Sequence, residues 1–470
     1  MNRKSFAVAA LLVTSAFAGV TNVSAAAPES GDAAGARPPA CTTPPPQPPP
    51  IKPTTVTTIG QAYYCIFDNY FSGPVLDSRQ LLVPAFAALT QELQRRGLDQ
   101  ANATLPALKG HKDADWAAFS RVYTQIAAKL PDDAARQAAA AATLKAMVAS
   151  LNDNHARWQP LPQPGEQRNI PTGIRVSGQR PDGFDPAVTG PIFVIDIAPG
   201  GGAANAGMKL GDEIIAVKDV PVIVDGVLNQ AVSRWMLEGP EGKPVKMTIR
   251  RPSTNETFTA DVTPVRFQLP PRGVTSNLLP GDVGYVKMPG FAGGFADAVL
   301  KAIADMRKDR TLRGVVLDLR GNGGGSPTEV SRLLGGWTRS KATSYWCDVK
   351  DKCEPNKADD TVELVNLPLI VLTDRSCASA CDSFSSAVKD LKLGAIVGTR
   401  TAGAVSGPGS GFLLNDASII GLPKVHEIGA NKEVINTVGV APDHVAPLTS
   451  DALSAGRDPG IEKALSLLTR

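Results

Sequence analysis

Two segments of this chain share one design: an apolar run, then a turn of small residues, then a helical pattern. The first is GVVLDLRGNGGGSPTEV over residues 314–330, and the second is LIVLTDRSCASACDSF over residues 369–384. Leu369–Thr373 predicts a buried strand and Ala380–Leu391 an amphipathic helix, so Ser379 falls where a strand gives way to a helix. Repeated units of this kind predict an α/β protein, in which helices pack on a buried sheet.

The turn at Ser379 suits a nucleophile. Free N–H groups and the dipole at a helix start favour nearby negative charge, as the oxyanion of an acyl transfer requires. The glycine run of the first segment lets the backbone approach a substrate closely. We therefore predict Ser379 as the nucleophile, with backbone N–H groups of Gly324 and Ala380 as the oxyanion hole. Taken singly, the glycine turn is more often a tight connection and the serine more often a helix cap.

Length and composition limit the number of domains and the class of protein. A chain of 470 residues corresponds to about three domains. Its 43% hydrophobic and 20% charged residues are ordinary for a soluble globular protein. A formal net charge of +3 gives no electrostatic argument for binding nucleic acid or an anionic membrane.

The N-terminus has the parts of a secretory signal. Residues 1–25 contain a basic start, an apolar run over Phe6–Val20 and the small-residue cleavage site Val23–Ala25. The apolar run is short for a bilayer span, and no later stretch is long enough to be a transmembrane segment. The mature protein is therefore predicted to be exported, either periplasmic or secreted. Residues 26–58, rich in Ala and Pro, are predicted to be a polyproline-like linker.

Six cysteines in an exported chain are compatible with disulfides. Cys347 with Cys353 is the clearest candidate pair, and Cys41 could pair with Cys65, although six cysteines allow 15 connectivities and spacing alone does not choose among them. Cys377 and Cys381 flank Ser379, and three interpretations stay open for them: small buried residues, a disulfide, or redox-active thiols. The cysteine and histidine spacings do not form a convincing zinc site, so no metal is predicted.

The rest of the chain divides into regions that differ in amino-acid composition and in strand or helix pattern. Residues 59–158, rich in Ala, Leu and Gln, predict a helical domain with helices over Val83–Arg96 and Ala134–Leu151. Residues 171–265 show short strands and turns, which predict a small β-barrel with one or two helices. Residues 281–448 alternate strand and helix patterns and form the predicted catalytic α/β domain, and 449–470 are a tail or helix.

Four motifs in one order resemble peptidase family S41, the carboxyl-terminal processing and tricorn-like serine proteases. They are D-L-R-x-N-x-G-G from Asp318, the small residues around Ser379, G-x-x-T-x-G over Gly398–Gly403, and GVAPD over Gly439–Asp443. The resemblance implies a crotonase-like ββα catalytic core, protein or peptide substrates, and no metal or organic cofactor.

The β-rich region resembles the PDZ domain inserted in that family, most closely over residues 203–212. The resemblance places Gly173 and Ile174 in the loop whose N–H groups receive a peptide's terminal carboxylate, beside a strand that pairs with the peptide. The alternative is a PDZ fold that only braces the catalytic domain.

The lysine that serves as the base in the processing proteases is absent from this chain. Their lysine follows the serine by about 25 residues, and Ala404 occupies that position here. Lys389 and Lys392 lie on the nucleophile's own helix and should point along or away from it. The tricorn-like branch uses a histidine in an L-x-D-x-H run, and Leu151–His155 matches it. The resemblance therefore implies His155 as the base, although in some lysine-type relatives a histidine here only braces the loop.

The tricorn-like branch has a glutamate just before the G-V-x-P-D run, as a third member that orients the histidine. The matching position is Asn436, with Glu433 close by, so both are candidates. Asn can orient a histidine but adds no charge stabilisation. His426 and Glu427 lie on the same segment and are interpreted as a solvated turn.

The sequence thus favours an exported serine-type endopeptidase whose PDZ-like domain engages substrate C-termini. The departures at Ala404 and Asn436 keep a second hypothesis open, a catalytically inactive peptide-binding scaffold. A third is a small-ligand carrier of the same fold.

Overall fold

The computed structural model describes residues 37–47, 49–160, 169–180, 183–184, 188–268 and 273–469. The predicted signal and the first part of the predicted linker lie outside these residues. In this part of the chain, none of the helices combines the length and the apolar character that a membrane span requires.

The N-terminal region is helical, as predicted. Its elements are α1 (Val56–Asn69), a 3₁₀ turn (Gly73–Val75), α2 (Ser78–Arg95), α3 (Lys112–Ala127), α4 (Asp133–Ala149) and the short strand β1 (Arg157–Gln159). An aromatic core holds the helices together, with Tyr63 stacked on Trp116 at 5.3 Å between ring centroids. The predicted Cys41–Cys65 disulfide is present and ties the preceding segment to α1.

The next region is built from short strands and two helices. Its elements are β2 (Ile170–Pro171), β3 (Ile174–Val176), β4 (Gln179–Arg180), β5 (Gly183–Phe184), β6 (Val194–Ile197), α5 (Gly202–Asn205), β7 (Glu213–Val217), β8 (Val220–Pro221), β9 (Ile223–Val224), β10 (Val227–Leu228), α6 (Gln230–Leu237), β11 (Glu238–Gly239), β12 (Val245–Arg251) and β13 (Glu256–Val262). The order β13-β12-β7-β8 forms an antiparallel sheet, and the region encloses an apolar core of its own.

The C-terminal region carries the main sheet. Its elements are β14 (Thr275–Leu279), β15 (Val283–Lys287), α7 (Phe295–Met306), β16 (Gly314–Asp318), α8 (Pro327–Leu334), β17 (Ala342–Cys347), β18 (Cys353–Lys357), β19 (Leu369–Thr373), α9 (Ala380–Asp390), β20 (Ala395–Gly398), β21 (Gly409–Leu413), β22 (Ile419–Pro423), β23 (His426–Gly429), β24 (His444–Val445), α10 (Ser450–Ser454) and α11 (Pro459–Leu468). The strands run in the order β14-β15-β16-β19-β20-β24, all parallel except the edge strand β14.

Both faces of this sheet are covered, as a parallel sheet requires. Alternate residues of β16 show the division: Val315 and Leu317 pack with α7, α8 and α9 in one cluster, whereas Val316 packs with α11 in another. The predicted strands and helices of this region are confirmed, so the described chain is a mixed α/β protein.

Two smaller sheets stand beside the main one. The order β18-β17-β23 contains the predicted Cys347–Cys353 disulfide, and the order β1-β22-β21 joins the helical region to a hairpin of the C-terminal region. The interpretation of His426 and Glu427 as a solvated turn is wrong. Both belong to β23, and Glu427 is buried opposite Trp346 of β17, its partner in the strand register.

The D-L-R run ties the main sheet to the C-terminal helix. The carboxylate of Asp318 accepts hydrogen bonds from the guanidinium of Arg320, which also pairs with Asp458 at the start of α11. Burial alone would raise the pKa of Asp318, but the Arg320 guanidinium lowers it below the usual range. These residues stabilise the strand end from which the glycine run begins.

Candidate active site

Ser379 lies on a strained turn between β19 and α9. Its backbone has φ 58° and ψ −120°, in a region that a non-glycine residue rarely occupies. Such a conformation costs about 1–3 kcal/mol and persists only where the surroundings impose it. A sharp strand-to-helix turn of this kind exposes the serine hydroxyl at the edge of the sheet, which is the geometry of a nucleophile elbow.

Asp382, one turn into α9, holds this turn in place. Its buried carboxylate accepts hydrogen bonds from the backbone N–H groups of Ser379, Gly403 and Ala404, each at 3.0 Å. Burial raises the pKa of Asp382 to about 6. Asp382 was not among the predicted site residues, although a serine followed three positions later by an acid at a helix start is a known capping pattern.

The disulfide interpretation of Cys377 and Cys381 is the one found in the structure. The two residues are bonded across the turn, with Ser379 between them, and both are fully buried. The bond fixes the last residues before α9 to its first turn. It therefore adds a covalent constraint to the turn that Asp382 already holds.

The structure brings His155 to Ser379. The two side chains meet with 3.2 Å between Nε2 of His155 and Oγ of Ser379, although 224 positions separate them in the sequence. His155 precedes β1, whose residue Arg157 pairs with Gly421 of the C-terminal hairpin. Asp153 fixes the loop further by accepting from the His155 backbone N–H at 2.9 Å and from the Tyr70 hydroxyl at 3.0 Å.

Asn154 sets the orientation of the imidazole. Its amide nitrogen donates to the carbonyl of Gly403 at 3.2 Å and to Oδ1 of Asn436 at 3.0 Å, so its oxygen faces Nδ1 of His155 at 2.6 Å. Nδ1 must then carry the proton, which leaves the lone pair of Nε2 directed at Ser379. The sequence analysis gave Asn154 no role, since it occupies a variable position of the L-x-D-x-H run.

Asn436 and Glu433, the two candidates for a residue that orients His155, lie in different places. Asn436 contacts Asn154 rather than His155, so it acts one hydrogen bond further away than the family pattern implies. Glu433 faces α9, where its carboxylate accepts from Ser386 at 3.0 Å and lies beside the carboxyl group of Asp390. None of the described contacts joins Glu433 to His155 or Asn154.

His155 is suited to act as a base at neutral pH. Burial lowers its pKa below the usual range, and this effect exceeds the opposing influence of Asp153. The imidazole is therefore neutral at pH 7, with Nε2 free to accept a proton.

The glycine run packs directly against Ser379. Gly324 has φ +98°, and a Cβ there would lie 2.6 Å from Cβ of Ser379, so a larger residue would not fit. Its own N–H is engaged, donating to the buried side chain of Asn322 at 2.9 Å. Within the described chain, the N–H groups of Ala380 and Gly325 have no protein acceptor, and both residues line a cavity with Ser379.

The position of the family lysine lies beside the nucleophile. The carbonyl of Ala404 accepts from the Ser379 backbone N–H at 2.8 Å, so a lysine there would be close to Ser379. Lys389 points away, as predicted, because its ammonium donates to the carbonyl of Ala441 at 2.6 Å and pairs with Asp443. Among the described side chains, no group of three or more metal-binding residues is assembled.

The predicted carboxylate loop lies at the start of β3. Gly173 has φ +88° and its carbonyl accepts from the Ala198 N–H at 2.7 Å, while Ile174 pairs with Ile197. The next residue, Arg175, reaches the catalytic region, where it comes within 4.0 Å of Asp374 and lies against Gly321. The β3 strand and the glycine run of the active site are therefore in direct contact.

A serine presented on a strand-to-helix turn to a histidine is the arrangement of a serine hydrolase. Comparison with known proteins specifies the family. Residues 282–446 match the model of peptidase family S41, and residues 164–250 match that of the PDZ domain. Residues 282–446 are therefore similar to peptidase family S41, and residues 164–250 are similar to a PDZ domain.

Relatives come from both branches that the motifs resemble. The chain is 32% identical to carboxyl-terminal-processing peptidase 2 (chloroplastic) of Arabidopsis thaliana, over 65% of this chain and 60% of that protein's length. It is 27% identical to a carboxyl-terminal-processing protease of Picosynechococcus, over 69% and 78% of the two chains. Tricorn protease homolog 1 of Streptomyces coelicolor is 28% identical over 56% of this chain but only 24% of its own length.

Solved structures show the same fold. The photosystem II D1 C-terminal processing protease matches with a TM-score of 0.51 and 22% identity, over 88% of this chain and 97% of that one. Mature CPAF, solved in complex with lactacystin, matches with a TM-score of 0.54 and 14% identity, over the same shares of the two chains.

Proposed function

We propose that this protein is an exported serine-type endopeptidase that hydrolyses protein or peptide substrates with Ser379 as nucleophile and His155 as base. The observation that carries the proposal is the 3.2 Å contact between His155 Nε2 and Ser379 Oγ on a strained turn. Hydrolysis in the S41 relatives supports it. Export rests on the signal pattern of residues 1–25 and on the disulfides, which persist in oxidising compartments.

The reaction follows from these positions. Ser379 Oγ attacks the peptide carbonyl carbon while its proton moves to Nε2 of His155. The C–N bond then breaks, and the amine leaves with the proton from His155. Water attacks the resulting ester, His155 accepts its proton, and the Ser379 Oγ–C bond breaks as that proton returns to Oγ. The N–H groups of Ala380 and Gly325 bind the oxyanion in both halves, since the Gly324 N–H already donates to Asn322.

Asn154 and Asn436 are positioning residues in this scheme. Asn154 holds His155 in the tautomer that can accept a proton, and Asn436 holds Asn154. Neither carries charge, so the hydrogen bond to Nδ1 stabilises the imidazolium through an amide dipole rather than through a carboxylate.

Replacing Asn154 by Ala should lower kcat by about 10–100-fold with little change in KM, because the imidazole loses its orientation while the substrate contacts remain. Steady-state kinetics with a fluorogenic peptide measure both constants. Asn277→Ala, on the exposed edge strand β14, is the control and should behave like the unmodified protein. Equal loss in the two variants would contradict a specific role for Asn154.

A second variant tests the hydrogen-bonded relay that runs from Asn436 through Asn154 to His155. It distinguishes orientation of the His155 imidazole from support of the fold. Asn436→Asp places a negative charge near His155, which should raise the pKa of the imidazole and move the acidic limb of the kcat/KM profile to higher pH. An unshifted limb in a folded, active variant would exclude Asn436 from the relay.

We also assign the PDZ domain to the capture of substrate C-termini, with Gly173 and Ile174 at the carboxylate. The contact of Arg175 with the glycine run supports a link between peptide binding and the active site. The boundaries predicted from the sequence, 171–265 for this domain and 281–448 for a ββα catalytic core, belong to the same proposal.

Matched peptides with a free or an amidated C-terminus test the function. The acid form should be cleaved at least several-fold faster, because amidation removes the charge-assisted hydrogen bonds of the carboxylate. Cleavage of both forms at the same rate would contradict capture of the terminal carboxylate by the PDZ domain but would support the peptidase function. Cleavage of neither form, together with no labelling by a fluorophosphonate, would instead favour the inactive scaffold.

A further inference from the structure

A cavity of about 290 Å³ opens directly beside the nucleophile. Ser379 and Ala380 form one of its walls, and Gly325 and Val330 contribute from the glycine run and α8. A carbonyl carbon held at Ser379 Oγ brings the side chain of its own residue next to this opening. The cavity is therefore placed to receive the side chain on the acyl side of the scissile bond.

Much of the cavity lining is polar. Four hydroxyl-bearing residues contribute to it, Thr343, Ser344, Ser383 and Ser406. Glu427, a residue that is only 7% exposed, also lines the cavity. Its Oε2 accepts from Nε1 of Trp346 at 3.4 Å. A buried acid in a cavity next to a nucleophile needs an explanation, since buried charges are normally paired.

Glu427 lacks a cationic partner in the described chain. Its hydrogen-bond partners are the neutral groups of Ser344, Ser383 and Trp346, and the charge that acts on it is another acid, Asp382. Burial raises the pKa of Glu427 above its usual range. Of the lining residues that the structure describes, Lys357 is the cation, and it is exposed and forms no ion pair with Glu427.

We propose that this cavity is a specificity pocket for a basic side chain, arginine or lysine, on the acyl side of the scissile bond, with Glu427 as its acceptor. The inference rests on the proposed peptidase function. A guanidinium would supply the missing counter-charge and bind the carboxylate with paired hydrogen bonds. Its aliphatic stem would pack along Val330 and the Trp346 ring, which also line the cavity.

Binding of side-chain analogues tests the pocket without any need for catalysis. n-Butylguanidine and the neutral n-butylurea mimic arginine and citrulline, and calorimetry or NMR titration on the full chain measures both. The guanidine should bind at least 10-fold more tightly than the urea, and Glu427→Gln should remove the difference, because it keeps the shape and deletes the charge. Glu363→Gln, an exposed acid, is the matched control and should retain the difference.

Peptides that differ only by arginine or citrulline at the acyl-side position give the kinetic counterpart. The unmodified enzyme should prefer arginine by at least 10-fold in kcat/KM, and this comparison needs no variant. Equal binding of the two analogues, or a preference that survives in a folded Glu427→Gln protein, would overturn the pocket assignment. Selective guanidine binding without peptide cleavage or fluorophosphonate labelling would support the assignment of the pocket to a basic side chain. It would overturn the peptidase function.

Discussion

Replacing Ser379 by Ala should abolish peptide hydrolysis, with a loss in kcat of about 10⁴–10⁶-fold, because a nucleophile and its base act as one unit. The fold should survive. The turn is held by Asp382 and the Cys377–Cys381 disulfide rather than by the Ser379 hydroxyl, and a lost helix cap costs about 1 kcal/mol. Peptide kinetics, fluorophosphonate labelling and thermal unfolding together measure the effect.

A remote serine provides the control for this variant. Ser466 lies on α11, where its hydroxyl only donates to the carbonyl of Lys463, so Ser466→Ala should remain active and labelled. Residual hydrolysis near the unmodified rate in a folded Ser379→Ala protein would remove Ser379 from the mechanism.

Replacing His155 by Ala should cost about as much as replacing Ser379, and the double variant should lose little more than either single one. In the unmodified enzyme, kcat/KM should rise with pH through a single apparent pKa at or below the ordinary histidine value. The sign follows from burial, which lowers the pKa of His155 and keeps the imidazole neutral to lower pH. The acidic limb of the kcat/KM profile should therefore lie at lower pH than it would for a histidine with the ordinary pKa.

The pH profile also tests the lysine alternative. A lysine base would delay the rise in rate to alkaline pH, since an ammonium must lose its proton first. An alkaline profile, or near-normal activity of His155→Ala, would rule out the histidine mechanism. His111→Ala, an exposed histidine at the start of α3, is the matched control.

Local patterns in the sequence were enough to predict the nucleophile turn. Leu369–Thr373 forms a fully buried strand and α9 begins at Ala380, as the apolar run and the helical spacing indicate. The resemblance to family S41 also followed from the sequence, because its motifs are short and contiguous. The burial of Glu427 did not, since Glu427 lies against Trp346 of β17, a strand distant in sequence.

The partners of Ser379 were harder to predict for a physical reason. A hydrogen bond between side chains 224 positions apart depends on how two segments dock, and local periodicity carries no information about docking. The L-x-D-x-H resemblance indicated His155, but it did not indicate that Asn154 would turn its amide between His155 and Asn436. Glu433, three positions before Asn436, was also a candidate, yet it faces α9 instead.

The sequence by itself determined the strand–turn–helix at Ser379, because small residues, an apolar run and a helical period act over a few neighbouring positions. The tertiary structure decided which base meets the serine. Pairing of Arg157 in β1 with Gly421 in β22 carries the loop of His155 across to the C-terminal region. The apolar core of the helical region holds that hairpin through Phe412 and Leu422. Burial of these distant surfaces, rather than any local preference, fixes the 3.2 Å contact between His155 and Ser379.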